Sequence, residues 1–411
     1  MHDILPGETE QWQYLEAQYR KVLGSYCYQE IRFPILEETQ LFARSVGEVT
    51  DIVEKEMYTF LDRNQESVTL RPEGTAGCVR SADQHGLLYN QVQKLFYSGP
   101  MFRYEKPQKG RSRQFHQLGV ESFGISSLDV ELEMICLSAQ IFKSLGLLDH
   151  VTLEINSIGD SDARANFGKA LQSFLESHYD QLDEDSQKRL HNNPLRVLDS
   201  KNLNTQAILK DAPRLADFLS DHSSQRFTEL KQALLALDMK YVETPSLVRG
   251  LDYYNDTVFE WTTEHLGAQA TVCAGGRYDA LVEKLGGKST PAVGFAMGKE
   301  RLLLLLETLN LLPEPVLPCD IFIIPMVKDC VNFALKVSDK IREKKANLSV
   351  LLNCGGASIK SQMKKADKSG ALYAVVIGEQ ELNSQKVQLK FLREDKPALW
   401  LDVDDLLEYL H

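Results

Sequence analysis

The sequence has no CxxC pair among its seven cysteines (27, 78, 136, 273, 319, 330 and 354), which are odd in number and scattered. That argues against a disulfide framework and against structural zinc, and makes a reducing cytoplasm the expected compartment. No apolar run is long enough to span a bilayer, and no signal-peptide pattern opens the chain. The leucines at 302–306 form a short run that follows charge, so they read as a buried helix. No internal repeat is visible. Positive charge is scarce: 46 Lys and Arg stand against 58 Asp and Glu, a formal net charge of −12. This deficit does not exclude a polyanionic partner, because binding follows local patches rather than the total. What is present, 411 residues with 43% apolar and 25% charged side chains, is the composition of a soluble globular protein with two or three domains.

Along the chain, Trp12, Leu15, Tyr19, Val22 and Leu23 recur at helical spacing, with Gly24 as the expected stop. EIRFPIL has β character, with Pro34 marking an edge or bulge. Residues 92–124 read as an antiparallel hairpin whose connecting loop is rich in Pro, Gly, Lys and Arg. A helix over about 128–147 and the strand VTLEINSIG follow. Between about 160 and 240 the texture becomes charged and helical, which predicts an insertion. Strand-rich sequence resumes with LVRGLDYYNDTVFEWTT and TVCAGGRYDALVEKLGG, and a helix begins near Lys299. PEPVLP at 313–318 is a linker by composition. The division predicted is 1–318 for one domain and 319–411 for a separate α/β domain. Residues 328–368 carry ten Lys or Arg against four Asp or Glu, a local charge of +6.

The stretch FRYEKPQKGRSRQFHQLGVE, 102–121, holds five basic residues within eleven positions and ends on Glu121. Strand alternation puts Phe115, Gln117, Gly119, Glu121 and Phe123 on one face, and His116, Leu118, Val120 and Ser122 on the other. An amide, a gap at Gly119 and a carboxylate suit a small cationic ligand, whose charge must be paired once desolvated. Arg103 on the preceding strand is placed to clamp a phosphate oxygen. A polar strand face with a solvated basic turn is the plainer alternative. In RPEGTAGCVR, Glu73 precedes a helix starting near Thr75; it either receives an α-ammonium group or simply favours the helix N-terminus. Arg249 in LVRGLDYYNDTVFEW is a surface charge or a guanidinium standing in for a metal beside a phosphate. AGGRYDALVEKLGG allows close backbone approach to a ligand or a tight turn before a helix. Arg301 in AVGFAMGKERLLLLLE holds a phosphate or is a charged helix end.

Taken together, these segments resemble histidyl-tRNA synthetase, a class II aminoacyl-tRNA synthetase family, nearly end to end. FRYEKPQKGRSRQFHQLGVE is similar to class II motif 2, AVGFAMGKERLLLLLE to motif 3, and EIRFPILEETQLFARSVGEVTDIVEKEMYTF to motif 1. RGLDYY (249–254), AGGRYD (274–279) and TLRPEGTAG narrow the likeness to the histidine family. The resemblance implies an α+β fold: an antiparallel sheet flanked by helices, a helical insertion and a C-terminal α/β anticodon-binding domain. It implies that Arg103 binds the ATP α-phosphate, Phe115 stacks on adenine, Arg301 holds the γ-phosphate side and Arg249 sits on the α-phosphate. Glu73, Thr75 and Gln117 would hold the amino-acid end of histidine. Glu121 with Tyr254, and Tyr253 nearby, would read the imidazole. Alternation puts the two tyrosines on opposite faces, so an irregular strand start is required if both line the pocket. Gln108 and Arg111 would meet the tRNA acceptor end. The implied substrates are L-histidine, ATP with Mg2+ as its counter-ion, and tRNA(His). A homodimer built through motif 1 is implied, with no resident protein metal site and no membrane association. The implied activity is histidine–tRNA ligation in the cytoplasm. The alternative is a catalytically silent paralogue that senses histidine or tRNA, disfavoured by the presence of Arg103, Arg249, Arg301 and the last domain. Relatives commonly carry several residues, including an Arg-Gly pair, ahead of the segment seen here as MHDILP, so an alternative start or a trimmed terminus is expected.

Overall fold

The structure, a computed structural model, describes residues 1–47, 50, 52–192, 194–200, 202–248, 251, 253–313 and 319–410. The chain divides into two compact units, Met1–Pro313 and Glu314–His411. No helix among the described residues is long and apolar enough to cross a membrane.

The first unit opens with α1 (Glu8–Ser25), whose Leu15, Tyr19, Val22 and Leu23 are buried and whose first turn carries Glu8 and Glu10, favourable at a helix N-terminus. Gly24 does not stop this helix. The chain leaves it after Ser25, and the left-handed residue that turns it is Cys27, at φ 63°. The expected strand around Pro34 is also broken. Only β1 (Gln29–Glu30) and β2 (Leu36–Glu38) form, with Pro34 between two different sheets. After α2 (Thr39–Val46) come β3 (Tyr58–Leu61), β4 (Ser67–Leu70) and α3 (Thr75–Gln84). The predicted hairpin is β5 (Gln93–Phe102) and β6 (Gln114–Phe123), paired antiparallel over their full length. Then α4 (Asp129–Ser144) and β7 (Thr152–Ser157) lead into the insertion. Its helices are α5 (Ser161–Glu176), α6 (Glu184–Asn192), α7 (Leu203–Leu209) and α8 (Asp221–Ala236). The unit closes with β8 (Val242–Glu243), β9 (Asn255–Thr262), β10 (Thr271–Arg277), α9 (Leu281–Lys284), β11 (Ala292–Gly298) and α10 (Lys299–Thr308).

Eight strands form one sheet in the order β1-β5-β6-β11-β10-β9-β7-β8, antiparallel except at its two edges. One face packs against α1, α4, α8 and α10; Leu118 and Val120 of β6 lie in that core with Tyr19, Met134, Phe227 and Leu302. The other face is covered by α3 and the insertion at one end, and it is here that the chain leaves a cleft.

A second, three-stranded antiparallel sheet has the order β2-β4-β3. Its register stacks Leu36, Leu70 and Tyr58 in one row and Glu38, Val68 and Phe60 in the next, all on one face. Leu36 is 43% exposed and Phe60 49%. The opposite face carries Glu37, Thr69 and Thr59, and of these Glu37 and Thr69 are buried, so the usual polarity is reversed. Thr69 accepts or donates hydroxyl hydrogen bonds to Thr39 and Thr59 at 2.8 and 2.9 Å. Arg80 pairs with Glu37 at 2.5 Å.

The second unit has a five-stranded sheet built from β12 (Ile321–Pro325), β13 (Val350–Leu352), β14 (Tyr373–Ile377), β15 (Lys386–Phe391) and β16 (Leu399–Asp402). Their order is β13-β12-β14-β15-β16; the first three run parallel and the last two antiparallel. Helices α11 (Val331–Lys344), α12 (Ile359–Lys368), α13 (Glu379–Ser384) and α14 (Val403–Tyr409) accompany it. Ile321, Ile323, Val375, Val337 and Leu406 form one core cluster here. The continuous apolar run of β12 fits a strand buried on both faces.

Candidate active site

The open face of the large sheet holds a cleft of about 400 Å³. Strand β6 supplies its centre. Phe115, Gln117 and Glu121 line the cleft, while Leu118 and Val120 face the core and His116 meets Glu300 on α10 at 2.9 Å. The two-residue period thus sorts these side chains as expected. Gly119 does not leave a gap for a ligand, however. Its cross-strand partner is Tyr97 of β5, and the tyrosine ring occupies the space a Cβ would need.

Glu121 is 1% exposed. Its Oε1 accepts from Thr75 Oγ1 at 2.9 Å and from the Tyr97 hydroxyl at 3.2 Å; its Oε2 accepts from the Tyr278 hydroxyl. Burial pushes the carboxyl up to about 8, with the hydroxyl donors opposing and the neighbouring Glu73 charge reinforcing the rise. The carboxylate lies over Gly294, its partner on β11, where a Cβ would overlap Oε2. Glu73, also buried, accepts from the backbone N–H groups of Thr75 at 2.6 Å and Ala76 at 2.9 Å, so it caps α3 while lining the cleft. Desolvation raises its carboxyl above the usual range, and the two backbone donors hold it back. Gln117 Oε1 is buried and has no hydrogen-bond partner among the described residues, and it lines the same cleft as these two acids.

Tyr253 and Tyr254 precede β9 rather than sit on it. With no strand alternation to separate them, both line the cleft, their ring centroids 4.7 Å apart. They meet Tyr278 at 5.5 and 6.2 Å. Gly275 and Gly276 serve sheet packing rather than a ligand: a Cβ on either would meet a carbonyl of the adjacent strand.

The other end of the cleft is cationic. Arg103 stands one residue past β5; its Nε donates to the Pro72 carbonyl at 2.8 Å, and its guanidinium lies 5.2 Å from the Phe115 ring centroid. Arg301, in the first turn of α10, donates to the Thr271 carbonyl at 2.6 Å. Burial lowers its pKa, and the charges of Arg111 and Arg103 lower it further. Arg111 approaches Glu105 at 3.3 Å. Gln108 and Arg111 exchange backbone hydrogen bonds across a turn at Lys109 and Gly110. Arg111 lines the cleft, whereas Gln108 is outside its lining. Arg249 lies outside the described residues.

A polar cleft with buried acids at one end and crowded arginines at the other fits an amino acid at the first and a polyphosphate at the second. The family profile for histidyl-tRNA synthetase matches residues 1–302, and that for the anticodon binding domain matches 320–411. The chain belongs to the histidyl-tRNA synthetase family. It is an aminoacyl-tRNA synthetase, a histidine–tRNA ligase with the class II fold. A histidine–tRNA ligase from Marinomonas sp. (strain MWYL1) is 57% identical over 414 residues, covering 100% of this chain and 97% of that one. The solved apo histidyl-tRNA synthetase of S. aureus is 38% identical with a TM-score of 0.82, covering 100% and 97% of the two chains. That of Nostoc sp. PCC 7120, at 22% identity and a TM-score of 0.69 with coverage of 100% and 97%, shares the fold.

Two residues that hold Glu121 in place were not picked out from the sequence: Tyr97, which lines the cleft, and Tyr278, which donates to Glu121. Tyr97 reaches Glu121 only because β5 pairs with β6, and Tyr278 only because β11 lies between β6 and β10. Tyr278 had a signal in AGGRYD; Tyr97 had none beyond its place in a strand.

Proposed function

We propose that the cleft activates histidine with ATP and then transfers it to the 3′ end of tRNA(His), with histidine at the Glu121 end and the triphosphate at the arginine end. The observation that carries this reading is the polarity of the cleft. Glu73 and Glu121 line one cavity, burial raises the proton affinity of both and the Glu73 charge raises that of Glu121 further, so a cationic ligand relieves both. Burial and the charges of Arg111 and Arg103 disfavour the charge of Arg301, and an anion relieves it. Thr75, Gln117 and Glu73 hold the α-amino end of histidine, and Gln117 Oε1 offers the unused acceptor. Glu121, with Tyr254 and Tyr253, reads the imidazole.

In the first half-reaction the histidine carboxylate attacks the α-phosphorus and pyrophosphate leaves. Arg103 stabilises charge on the α-phosphate, Arg301 holds the γ-phosphate side, and Phe115 stacks on adenine. Such chemistry depends on positioning and on charge stabilisation. Mg2+ enters as the counter-ion of ATP; Glu260, which lines the arginine end, is an oxygen donor of the kind it takes. Arg249 keeps its α-phosphate role in this proposal by resemblance alone. Gln108 and Arg111 meet the acceptor end of the tRNA, and the second unit, with its basic stretch at 328–368, meets the anticodon. A homodimer, working in the cytoplasm, completes the proposal. Its support is the apolar outer face of the β2-β4-β3 sheet, a surface suited to a second copy.

The test is pyrophosphate exchange into ATP with each amino acid in turn. Exchange is expected with histidine alone. Exchange with another amino acid, or with none, refutes the proposal.

A further inference from the structure

The helical insertion touches the wall of the pocket through a buried charge network. Glu131 on α4 is 1% exposed and receives two guanidinium groups. One is from Arg277 at the end of β10, through Nε at 3.0 Å; the other is from Arg226 on α8 of the insertion, at 2.6 Å. Arg277 is itself 1% exposed and also reaches Asp279 at 2.9 Å and the carbonyls of Ile125 and Ser127 at 3.4 and 3.3 Å. Two arginines and two carboxylates balance. The next residue after Arg277 is Tyr278, the donor to Glu121 Oε2. The insertion makes two more contacts on the same wall. Arg164 of α5 donates to the Tyr254 carbonyl, and Ser223 of α8 donates to Asp256, two residues beyond Tyr254, at 2.6 Å.

A buried ionic network is a weak source of net stability, since desolvation offsets most of the attraction, but its directional bonds fix geometry. Here the geometry fixed is that of the residues on either side of the tyrosine cluster. We propose that Arg226 and Glu131 are positioning residues for histidine: the insertion, through Arg226–Glu131–Arg277, sets the Tyr278 hydroxyl against Glu121 and so tunes the imidazole end of the cleft. This rests on the assignment of histidine to that end. Arg103 and Arg301, at the phosphate end, are not members of this network as it is built from Arg226, Glu131, Arg277 and Asp279.

The test is steady-state pyrophosphate exchange by the full chain and its Arg226→Ala, Arg226→Lys and Leu190→Ala variants. Arg226 is preferred to Glu131 because its side chain is 12% exposed at the rim, whereas removing Glu131 strands the buried Arg277. For Arg226→Ala, the KM for histidine is expected to rise about tenfold, with the KM for ATP and kcat within about twofold. Arg226→Lys, which keeps the charge, is expected to recover part of the loss. Leu190→Ala cuts into the insertion's own packing away from the network and is expected to lower Tm without moving the ratio of the two KM values. The proposal is overturned if Arg226→Ala lowers only Tm, if both KM values rise together, or if Leu190→Ala shifts the ratio equally. No histidine-dependent exchange in the unsubstituted chain would instead overturn the assignment of histidine, and this proposal with it.

Discussion

Replacing Glu121 with glutamine removes an ionisation that the ligand-free fold suppresses and that the proposed histidine site calls on. The side chain keeps its shape and loses its ionisation. A buried carboxyl with a native pKa near 8, against an unfolded value of 4.5, binds a proton in the native state that the unfolded chain has released. Between those two values the native state therefore binds more protons, and stability falls as pH rises. Each pKa unit is worth about 1.4 kcal/mol, so the native penalty is about 1 kcal/mol at pH 5, about 3 to 4 at pH 7 and about 4 to 5 at pH 8.5. The Glu121→Gln variant escapes it. Its amide accepts fewer hydrogen bonds from Thr75, Tyr97 and Tyr278, a loss of roughly 1 kcal/mol that does not depend on pH. The quantity to read is thus the growth of the difference with pH. Urea unfolding of the ligand-free proteins, with Trp12 and Trp400 replaced by Phe in both so that fluorescence reports the buried Trp261 of the first unit, measures it. The variant is expected to gain on the wild type by roughly 2 to 3 kcal/mol between pH 5 and 7 and by only about 1 more by pH 8.5, where the native carboxyl itself begins to ionise. It should also lose histidine-dependent exchange. A difference that is flat with pH would refute the reasoning, because it would mean that Glu121 carries no proton in the ligand-free fold.

Two further outcomes follow from the same geometry. Gly294→Ala drives a methyl into the Glu121 carboxylate and should cost about 2 kcal/mol of stability while abolishing exchange; a variant with normal exchange would show that the carboxylate can sit elsewhere. Phe60→Glu places a charge on the apolar face of the three-stranded sheet, and sedimentation should show monomers with unchanged helix content; a dimer that survives would remove that face from the interface.

Elements with a clean local period were legible before the structure. The β5–β6 hairpin, the insertion and the faces of β6 follow from alternation and composition alone, and Glu121 was found that way. The misses share another cause. Gly24 looked like a helix stop, but the turn needed its left-handed residue three positions later, at Cys27. The gap at Gly119 was real on its own strand and was filled from the next one by Tyr97. Tyr278 and Arg277 gain their meaning from strand order and from an insertion 50 residues earlier in sequence, which no local window contains. The outward apolar rows of β2, β3 and β4 depend on the register of strands only three or four residues long, where tertiary pairing overrides pattern. For Tyr253 and Tyr254 the alternation rule yielded a condition, an irregular approach to β9, and the chain meets it.

Gly294 opposite Glu121 has a consequence for how the sheet assembles. A slip of two residues between β6 and β11 keeps every side chain on its own face, so the hydrophobic pattern alone would tolerate it. In either slipped pairing Glu121 would stand against Ala292 or Ala296, whose methyl groups fill the place its carboxylate occupies over Gly294. The acid proposed to read the ligand is thus also a proofreader of strand alignment at the middle of the sheet. A chain that closes this sheet in the right register has, by the same step, finished its pocket.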